Sequence, residues 1–314
     1  MEDLISFAML CKEEASMAER SLIAQKALLA GLIKGSASLR LGANEELDIP
    51  TESSVIAKKI YLAISEIYGV PCRFAYTRGI GFRKKTKYHV LAGSPEKILQ
   101  DLGVDFFSSA LPKVVKSEET KEAFLAGAFI ASGSVNDPSS SNYHLEIACE
   151  DETYAKKILH VITRLQSTPF NAKLASRRKG TIVYLKRSQE IADFIVLIKA
   201  HECCLKFEDV RLSRDYANIG NRLVNLDAAN MSKTSAASER QIKEIRYFME
   251  RGIPPEVSLK LRTLMKIRLD NPDSSLEELA TSLSEELATT ITKSNVNHLF
   301  RTLHSLYEEL HHDE

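Results

Sequence analysis

The chain has 314 residues, of which 44% are apolar and 27% charged, values typical of a globular protein long enough for two or three domains. It carries 42 lysines and arginines against 42 aspartates and glutamates, so net charge excludes neither a nucleic-acid nor a membrane partner, and the charge distribution must be considered instead. The five cysteines never show a C-x-x-C spacing, which argues against a disulfide framework or a structural zinc site, and no apolar run approaches the roughly 18 residues that span a bilayer.

The opening stretch, MEDLISFAMLCKEEA, contains acids and no basic leader. We therefore expect no signal peptide. With the scattered cysteines, this predicts a cytoplasmic protein whose thiols are reduced.

Two similar stretches, LLAGLIKGSASL from Leu28 and FLAGAFIASGSV from Phe124, have a small residue at every fourth position. These residues are Ala27, Gly31 and Gly35 in the first copy and Ala123, Gly127 and Ala131 in the second. They share one face of a helix and let two helix backbones approach closely. One buried helix against its own sheet would explain a single copy. Two copies favour packing of the pair against each other along a pseudo-two-fold axis.

Further features repeat at nearly the same interval. The two glycine helices are 96 positions apart (127 minus 31), and IAKKIYLAISEIYG from Ile56 parallels YAKKILHVITRLQS from Tyr154 at an interval of 98. A basic hairpin and a short helix, from Ser94 or Ser188, follow in both halves. The sequence therefore predicts a duplicated α/β unit that runs helix, strands, helix, hairpin, helix.

Both predicted hairpins are strongly basic. The first, Arg73 to Lys87, and the second, Lys173 to Arg187, each contain six basic residues and no acid. The candidate phosphate contacts are Arg83, Lys84, Lys85 and Lys87 in the first hairpin and Arg177, Arg178 and Lys179 in the second. Local positive charge of this kind is what DNA phosphates require. A solvated hairpin whose lysines discourage edge pairing is the alternative.

The polar stretch from His201 to Ser238 is predicted to link domains, with some short helix. Beyond it the chain is helical in pattern. One helix closes at Gly252, a second follows Glu256, a third begins with a capping box of Ser274 and Glu277, and the last starts at Lys293. The final three predict a helix-turn-helix bundle, with the last helix in the major groove of DNA.

The last helix places polar residues opposite its apolar stripe. These candidate base-reading residues are Lys293, Ser294, Asn295, Asn297, His298 and Arg301. Asn and Arg have bidentate base-reading geometry, whereas a histidine such as His298 is more often an ordinary surface residue. The connection SEELATTIT is longer than a tight turn, and a helical protein-interaction bundle is the alternative.

The two glycine helices, LAGLIKGSA and LAGAFIASG, resemble the signature helices of LAGLIDADG homing endonucleases. That resemblance implies a saddle of antiparallel strands that straddles DNA, with an acid near the end of each helix binding a divalent metal. Those acid positions fall on Ser36 and Ser132, and a neutral hydroxyl is a poor ligand for a hard cation. We therefore expect the scaffold without nuclease chemistry, and no metal or cofactor.

Combined with NRLVNLDAAN from Asn221, SLEELA from Ser275 and KSNVNHLFRTL from Lys293, the glycine helices make the chain similar to the bacterial WhiA regulators. The expected fold is α+β: LAGLIDADG-like halves at 1–110 and 111–205, a linker at 206–238 and an all-α helix-turn-helix domain at 239–314. The resemblance implies a non-enzymatic, sequence-specific transcriptional regulator of sporulation or cell division, located at the nucleoid. Linker residues implied to support the domain arrangement or DNA contact are Arg222, Asn225, Asn230 and Lys233.

The expected partner is double-stranded DNA, with another transcription regulator or cell-division proteins as candidate protein partners and no membrane. The sequence leaves the oligomeric state open. Two alternatives also stay open. One is a protein-interaction hub on a repurposed endonuclease scaffold, and the other is an active metal-dependent homing endonuclease that uses unrecognised acids.

Overall fold

A computed structural model describes residues 5–42, 45–78 and 86–312. The chain divides into two compact units, Met1–Arg214 and Asp215–Glu314. The first unit is α+β and the second is all-α. None of the described helices combines the length and the apolar character that a bilayer crossing requires.

The first half of unit 1 folds as the duplication predicts, with one additional helix in front. Its elements are α1 (Phe7–Met17), α2 (Leu22–Ser36), β1 (Ser38–Arg40), β2 (Glu46–Thr51), α3 (Ser54–Tyr68), β3 (Cys72–Arg78), β4 (Thr86–Gly93) and α4 (Pro95–Leu102). The strands form an antiparallel sheet in the order β1-β2-β4-β3. We call this sheet A.

The second half repeats the arrangement. Its elements are α5 (Glu118–Ser132), β5 (Gly133–Val135), β6 (Leu145–Cys149), α6 (Glu152–Thr163), β7 (Lys173–Arg177), β8 (Gly180–Leu185) and α7 (Ser188–Leu197). The antiparallel order β5-β6-β8-β7 matches that of the first sheet. We call this sheet B. The predicted order of elements in each half is therefore confirmed.

The two glycine helices pack directly against each other. A Cβ added to Gly31 would lie 2.3 Å from the carbonyl oxygen of Phe124, and one added to Gly127 would lie 2.0 Å from that of Leu28. Phe124 follows Leu28 by the same 96 positions that separate the glycines. The contact is thus reciprocal, as a pseudo-two-fold axis between α2 and α5 requires.

Helix α1 was not predicted, and its polar side chains explain its position. Both Glu14 carboxylate oxygens accept backbone N–H groups at the start of the helix that begins at His201, from Glu202 at 2.7 Å and from Cys203 at 2.9 Å. After α1, the Arg20 guanidinium donates to the carbonyl of Ile198 at 2.8 Å, and burial lowers the pKa of Arg20 to about 10. Helix α1 therefore closes unit 1 against the end of its second half.

The linker prediction was wrong about secondary structure. Residues His201–Arg251 form one continuous helix, α8, where only some short helix was predicted. The segment contains no proline and only one glycine, Gly220, so nothing in it forces a break. Its scattered Asn and Ser residues were misleading because their effect on helix propensity is small.

Unit 2 contains the rest of α8 followed by α9 (Leu259–Asp270), α10 (Leu276–Glu286) and α11 (Lys293–His312). Its core includes Phe248 of α8, Leu264 of α9, Leu283 of α10 and Phe300 of α11. The predicted stripe on α11 is present, with Val296, Leu303 and Tyr307 buried. The predicted helix end at Gly252 is also present, because α8 stops at Arg251 and Gly252 has a φ of 96°.

Candidate nucleic-acid interface

The ends of α2 and α5 line a cavity of about 820 Å³, where the signature helices of an active nuclease would place their acids. Here the Ser36 hydroxyl donates to the carbonyl of Leu32 at 3.0 Å, and the Ser132 hydroxyl donates to that of Ala148 at 2.7 Å. The first is the common bond from a helical serine to the preceding turn. Both hydroxyl protons are therefore used within the chain.

Two acids near these serines, in space or in sequence, have structural roles. Asp151, in the same cavity, accepts the N–H groups of Thr153 and Tyr154 as the N-cap of α6. Its hydrogen bond with Ser109 is the main reason that the pKa of Asp151 is lowered. Asp137 accepts the N–H of Ser139 at 2.9 Å and so stabilises the turn that follows it. Among the described residues, no three His, Cys, Asp or Glu side chains are grouped so that they could hold a metal ion.

Each sheet has one face toward the helices and the core and one face away from them, which we call the open face. Alternation along the strands puts Asp48 and His89 on the open face of sheet A and Glu146 on that of sheet B. These open faces correspond to the DNA-facing surface that the LAGLIDADG resemblance implies. Their charges determine whether a surface of that kind could attract DNA phosphates.

The open faces pair their arginines with carboxylates. Arg40 contacts Asp48 at 2.7 Å, and Arg73 contacts Glu46 at 2.6 Å through two nitrogens. The hydrogen bonds from Arg73 lower the pKa of the Glu46 carboxyl. In sheet A, much of the positive charge is thus already neutralised.

Sheet B repeats this neutralisation with different donors. Glu146 pairs with His144 at 2.8 Å and with Arg177 at 3.2 Å. In sheet A, Asp48 likewise pairs with a histidine, His89, at 2.9 Å. Glu146 follows Asp48 by 98 positions, the interval of the AKKI helices. An acid at this position therefore pairs with basic side chains in both halves. These acids lie on strands distant in sequence from the hairpins, so the hairpin pattern does not predict them.

Positive charge is left at the hairpin ends. Lys87, Arg178 and Lys179 are exposed, and within the described residues none of them has an ion pair. Arg178 and Lys179 form the two-residue turn of β7 and β8, which closes at the Arg177–Gly180 pair. Three other predicted contacts, Arg83, Lys84 and Lys85, lie outside the described residues.

In unit 2, α10 and α11 form the helix-turn-helix pair. Ser284 fixes the long connection, because its hydroxyl accepts the N–H of Ile291 at 2.9 Å and donates to the carbonyl of Ala280 at 2.6 Å. Ala288 takes up a left-handed conformation with a φ of 46°. The extra length is therefore accommodated in an ordered turn.

The capping box of α10 differs from its prediction by one residue. Ser275 and Glu278 cap the helix, not Ser274 and Glu277. Both pairs fit the same spacing. The carbonyl of Ser274 instead accepts from the buried Arg268 at 2.6 Å, which also lies over the ring of Phe300. Sequence reasoning missed Arg268, since a buried arginine leaves no periodic signal.

The predicted reading residues lie together on the exposed surface of α11. Lys293, Ser294, Asn295, Asn297, His298 and Arg301 are all exposed. One of them has a second role. The Asn295 amide oxygen accepts the N–H of Thr292 at 3.0 Å and its hydroxyl at 2.7 Å, while the N–H of Asn295 donates to that hydroxyl at 3.3 Å. Thr292 and Asn295 thus form a reciprocal cap at the start of α11.

A hydrogen bond between His304 and a buried carboxylate joins α11 to α8 within unit 2. His304 Nδ1 lies 2.7 Å from Glu244, whose side chain is only 3% exposed. The residues that the family resemblance implied in the linker, Arg222, Asn225 and Lys233, are exposed on α8. The side chain of Asn230 lies outside the described residues.

Family models match three successive parts of the chain. They are the WhiA N-terminal LAGLIDADG-like domain at residues 23–105, the WhiA LAGLIDADG-like domain at 121–217 and the WhiA C-terminal HTH domain at 221–307. A probable cell division protein WhiA from Brevibacillus brevis is 33% identical over 98% of both chains. Another, from Lacticaseibacillus casei, is 38% identical over 97% of this chain and 98% of the relative. The crystal structure of full-length DUF199/WhiA from Thermatoga maritima shares the fold with a TM-score of 0.56 and 22% identity, covering 95% of this chain and 96% of that one.

Proposed function

The chain belongs to the WhiA family, and we propose that it is a sequence-specific DNA-binding regulator of transcription that does not cleave DNA. The observation that carries the proposal is the exposed polar surface at the start of α11, held by a helix-turn-helix with its own buried core. Helices presented in this way read base edges in the major groove. The printed names of the relatives support a role in cell division, and sporulation is the other role that we consider.

Within this surface we assign the residues different tasks. Asn297 and Arg301 lie one turn apart, are exposed and have side chains that can bond two base edges at once. Asn295 contributes chiefly by capping α11 with Thr292. Lys293 lies 4.0 Å from Glu277 and, like Ser294 and His298, would contact the backbone or neighbouring bases.

Unit 1 would add phosphate contacts through its hairpin ends. Arg178 and Lys179 carry the charge that the open face of sheet B does not neutralise. Contacts of this type increase affinity for all sequences and make binding depend on salt. The two serines at the helix ends, whose hydroxyl protons are held by carbonyls, support the proposal that the chain does not cleave DNA.

The neutralised open faces support a second candidate function. A saddle whose arginines are already paired with Asp48, Glu46 and Glu146 attracts DNA weakly and would instead bind a protein such as another regulator.

The test is capture of sheared bacterial DNA by the full chain in magnesium, followed by sequencing of the bound fragments and their ends. We expect intact fragments that share a short motif. The double variant Asn297→Ala, Arg301→Ala should lose preference for that motif, whereas Ser305→Ala, on the exposed surface further along α11, should keep it. An unchanged preference in the double variant would refute the assignment of α11. New ends within the shared sequence would show that the nuclease is active.

A further inference from the structure

An apolar groove of about 460 Å³ lies between α3 and β3 on the helix side of sheet A. Its walls include Tyr61 and Leu62 of α3, Phe74 and Tyr76 of β3, and Tyr88 of β4. Phe74, Tyr76 and Leu62 are 52%, 66% and 47% exposed. The rings of Tyr61 and Phe74 stack at 4.8 Å and form a flat floor. Exposed apolar patches of this kind usually mark binding sites.

The second half of unit 1 shows that the fold does not require these aromatic residues. The strand registers match position by position, because Phe74 pairs with Val90 as Leu174 pairs with Val183. The aromatic residues of the groove correspond to Leu159, Leu174, Ser176 and Thr181 in the second half. Aliphatic and small polar residues are therefore sufficient to build this part of the unit, so the aromatic groove of the first half needs another explanation.

The groove adjoins an unpaired strand edge. Strand β3 has seven residues and, within the described part of the chain, pairs only with β4. Its other edge offers backbone N–H and C=O groups over about 23 Å at about 3.3 Å per residue. An extended peptide that pairs with such an edge directs every second side chain toward one face of the sheet. Here that face is the aromatic groove.

Charge indicates what kind of peptide fits. Lys58 is the one charged side chain among the described residues that line the groove, and none of them is acidic. At the far end of the strand, the Arg78 guanidinium lies 5.9 Å from the ring centre of Tyr76. Both cations would pair with carboxylates on a peptide whose apolar residues fill the groove.

We propose that β3 and this groove form a docking site for an extended segment of a partner protein, with apolar residues at alternate positions and acidic residues beside them. The segment adds to sheet A as a fifth strand. This function is separate from base reading by α11. An edge strand favours a peptide over single-stranded nucleic acid, because bases stack on aromatic rings without using backbone N–H and C=O groups.

The test uses a phage-displayed library of random twelve-residue peptides, selected on the full chain, and a synthetic copy of the enriched peptide. We expect enrichment of alternating apolar residues with flanking acids. The variant Phe74→Leu, Tyr76→Ser, Tyr88→Thr, which installs the residues of the second half, should weaken binding at least tenfold. Lys58→Glu should weaken it severalfold. The matched control is Lys156→Glu, which changes the corresponding lysine of the second half and should leave peptide binding unchanged.

Strand addition also predicts a structural change. Hydrogen exchange at the β3 amides should slow when the peptide binds, and affinity for the DNA motif should stay the same. Failure to enrich such peptides, or equal binding by the wild type and by Lys58→Glu, would overturn the proposal. The proposal would also be overturned if the groove bound an oligo-dT probe in place of the peptide. Self-association of the chain that the triple variant abolishes would overturn it as well.

Discussion

The close approach of α2 and α5 gives a quantitative prediction for Gly127→Ala. The added Cβ would lie 2.0 Å from the carbonyl oxygen of Leu28 and 2.9 Å from the nitrogen of Leu32, whereas Cβ atoms essentially never come closer than 3.0 Å. The helices must therefore separate by about 1 Å, a gap that forfeits about a quarter to a half of the dispersion energy of each affected contact.

The size of the effect follows from two opposing terms. Overpacking costs about 1–3 kcal/mol, and we take the upper end or slightly more because the obstructing atoms are backbone. Alanine recovers about 1 kcal/mol through its helix propensity. We therefore expect the free energy of unfolding of unit 1 to fall by about 2–3 kcal/mol.

The cysteines provide an assay within the full chain. All five lie in unit 1, and Cys11 and Cys149 are buried. Pulsed alkylation of these two in urea, read by mass spectrometry, reports the unfolding of unit 1 alone. With an m-value of about 2 kcal/mol/M, the midpoint should move down by about 1–1.5 M.

Gly35→Ala is the matched control on the same contact surface. Its added Cβ would lie 2.8 Å from the Cβ of Ala131, only slightly inside the usual limit and against a methyl group. We expect a midpoint close to that of the wild type. If Gly127→Ala has the same midpoint as Gly35→Ala, the argument from backbone contact is wrong.

Three further predictions concern caps, charges and thiols. Thr292→Ala removes the reciprocal cap of α11 and should cost unit 2 about 1 kcal/mol of stability, measured by thermal unfolding; an unchanged transition would contradict the capping role. Glu146→Gln leaves the Arg177 guanidinium without its carboxylate, so non-specific DNA affinity should rise and the salt slope should steepen by about one phosphate contact in a filter-binding titration. An affinity that stays level or falls would mean that the open face of sheet B does not meet DNA. Burial raises the pKa of Cys149 to about 12, so its thiolate is scarce at pH 8 and its peptide should be alkylated on the order of a hundredfold or more slowly than a free thiol; comparable rates would contradict this environment.

Periodic features of the sequence predicted most of the fold. Small residues at every fourth position predicted the α2–α5 pair, and the repeated order of patterns predicted both sheets. These features are local, or recur at a fixed interval, so they can be seen without coordinates. The α8 prediction failed for the opposite reason. Polar composition was taken as a sign of irregular structure, although no residue from His201 to Arg251 blocks a helix.

The candidate interface was less predictable because its charges depend on pairing across strands. The acid-free hairpins looked uniformly positive, yet Glu46 and Glu146 approach from other strands and neutralise Arg73 and Arg177. The role of Asn295 on α11 could not be predicted from the sequence for the same reason. Its residue type fits base reading, but the hydrogen bond to Thr292 that defines its second role is visible only in three dimensions.

The packing of α2 also bears on how the chain folds during synthesis. Leu29, Ala30, Leu32 and Ile33 are all at most 2% exposed, so this helix is buried on nearly every side and its covering includes α5 from the second half. When synthesis has just passed the end of α2 at Ser36, the end of α5 at Ser132 is still 96 residues away (132 minus 36). The apolar surface of α2 therefore stays uncovered until α5 has been synthesised. A nascent chain that stops before Phe124 should bind chaperones more strongly than one that extends past Ser132.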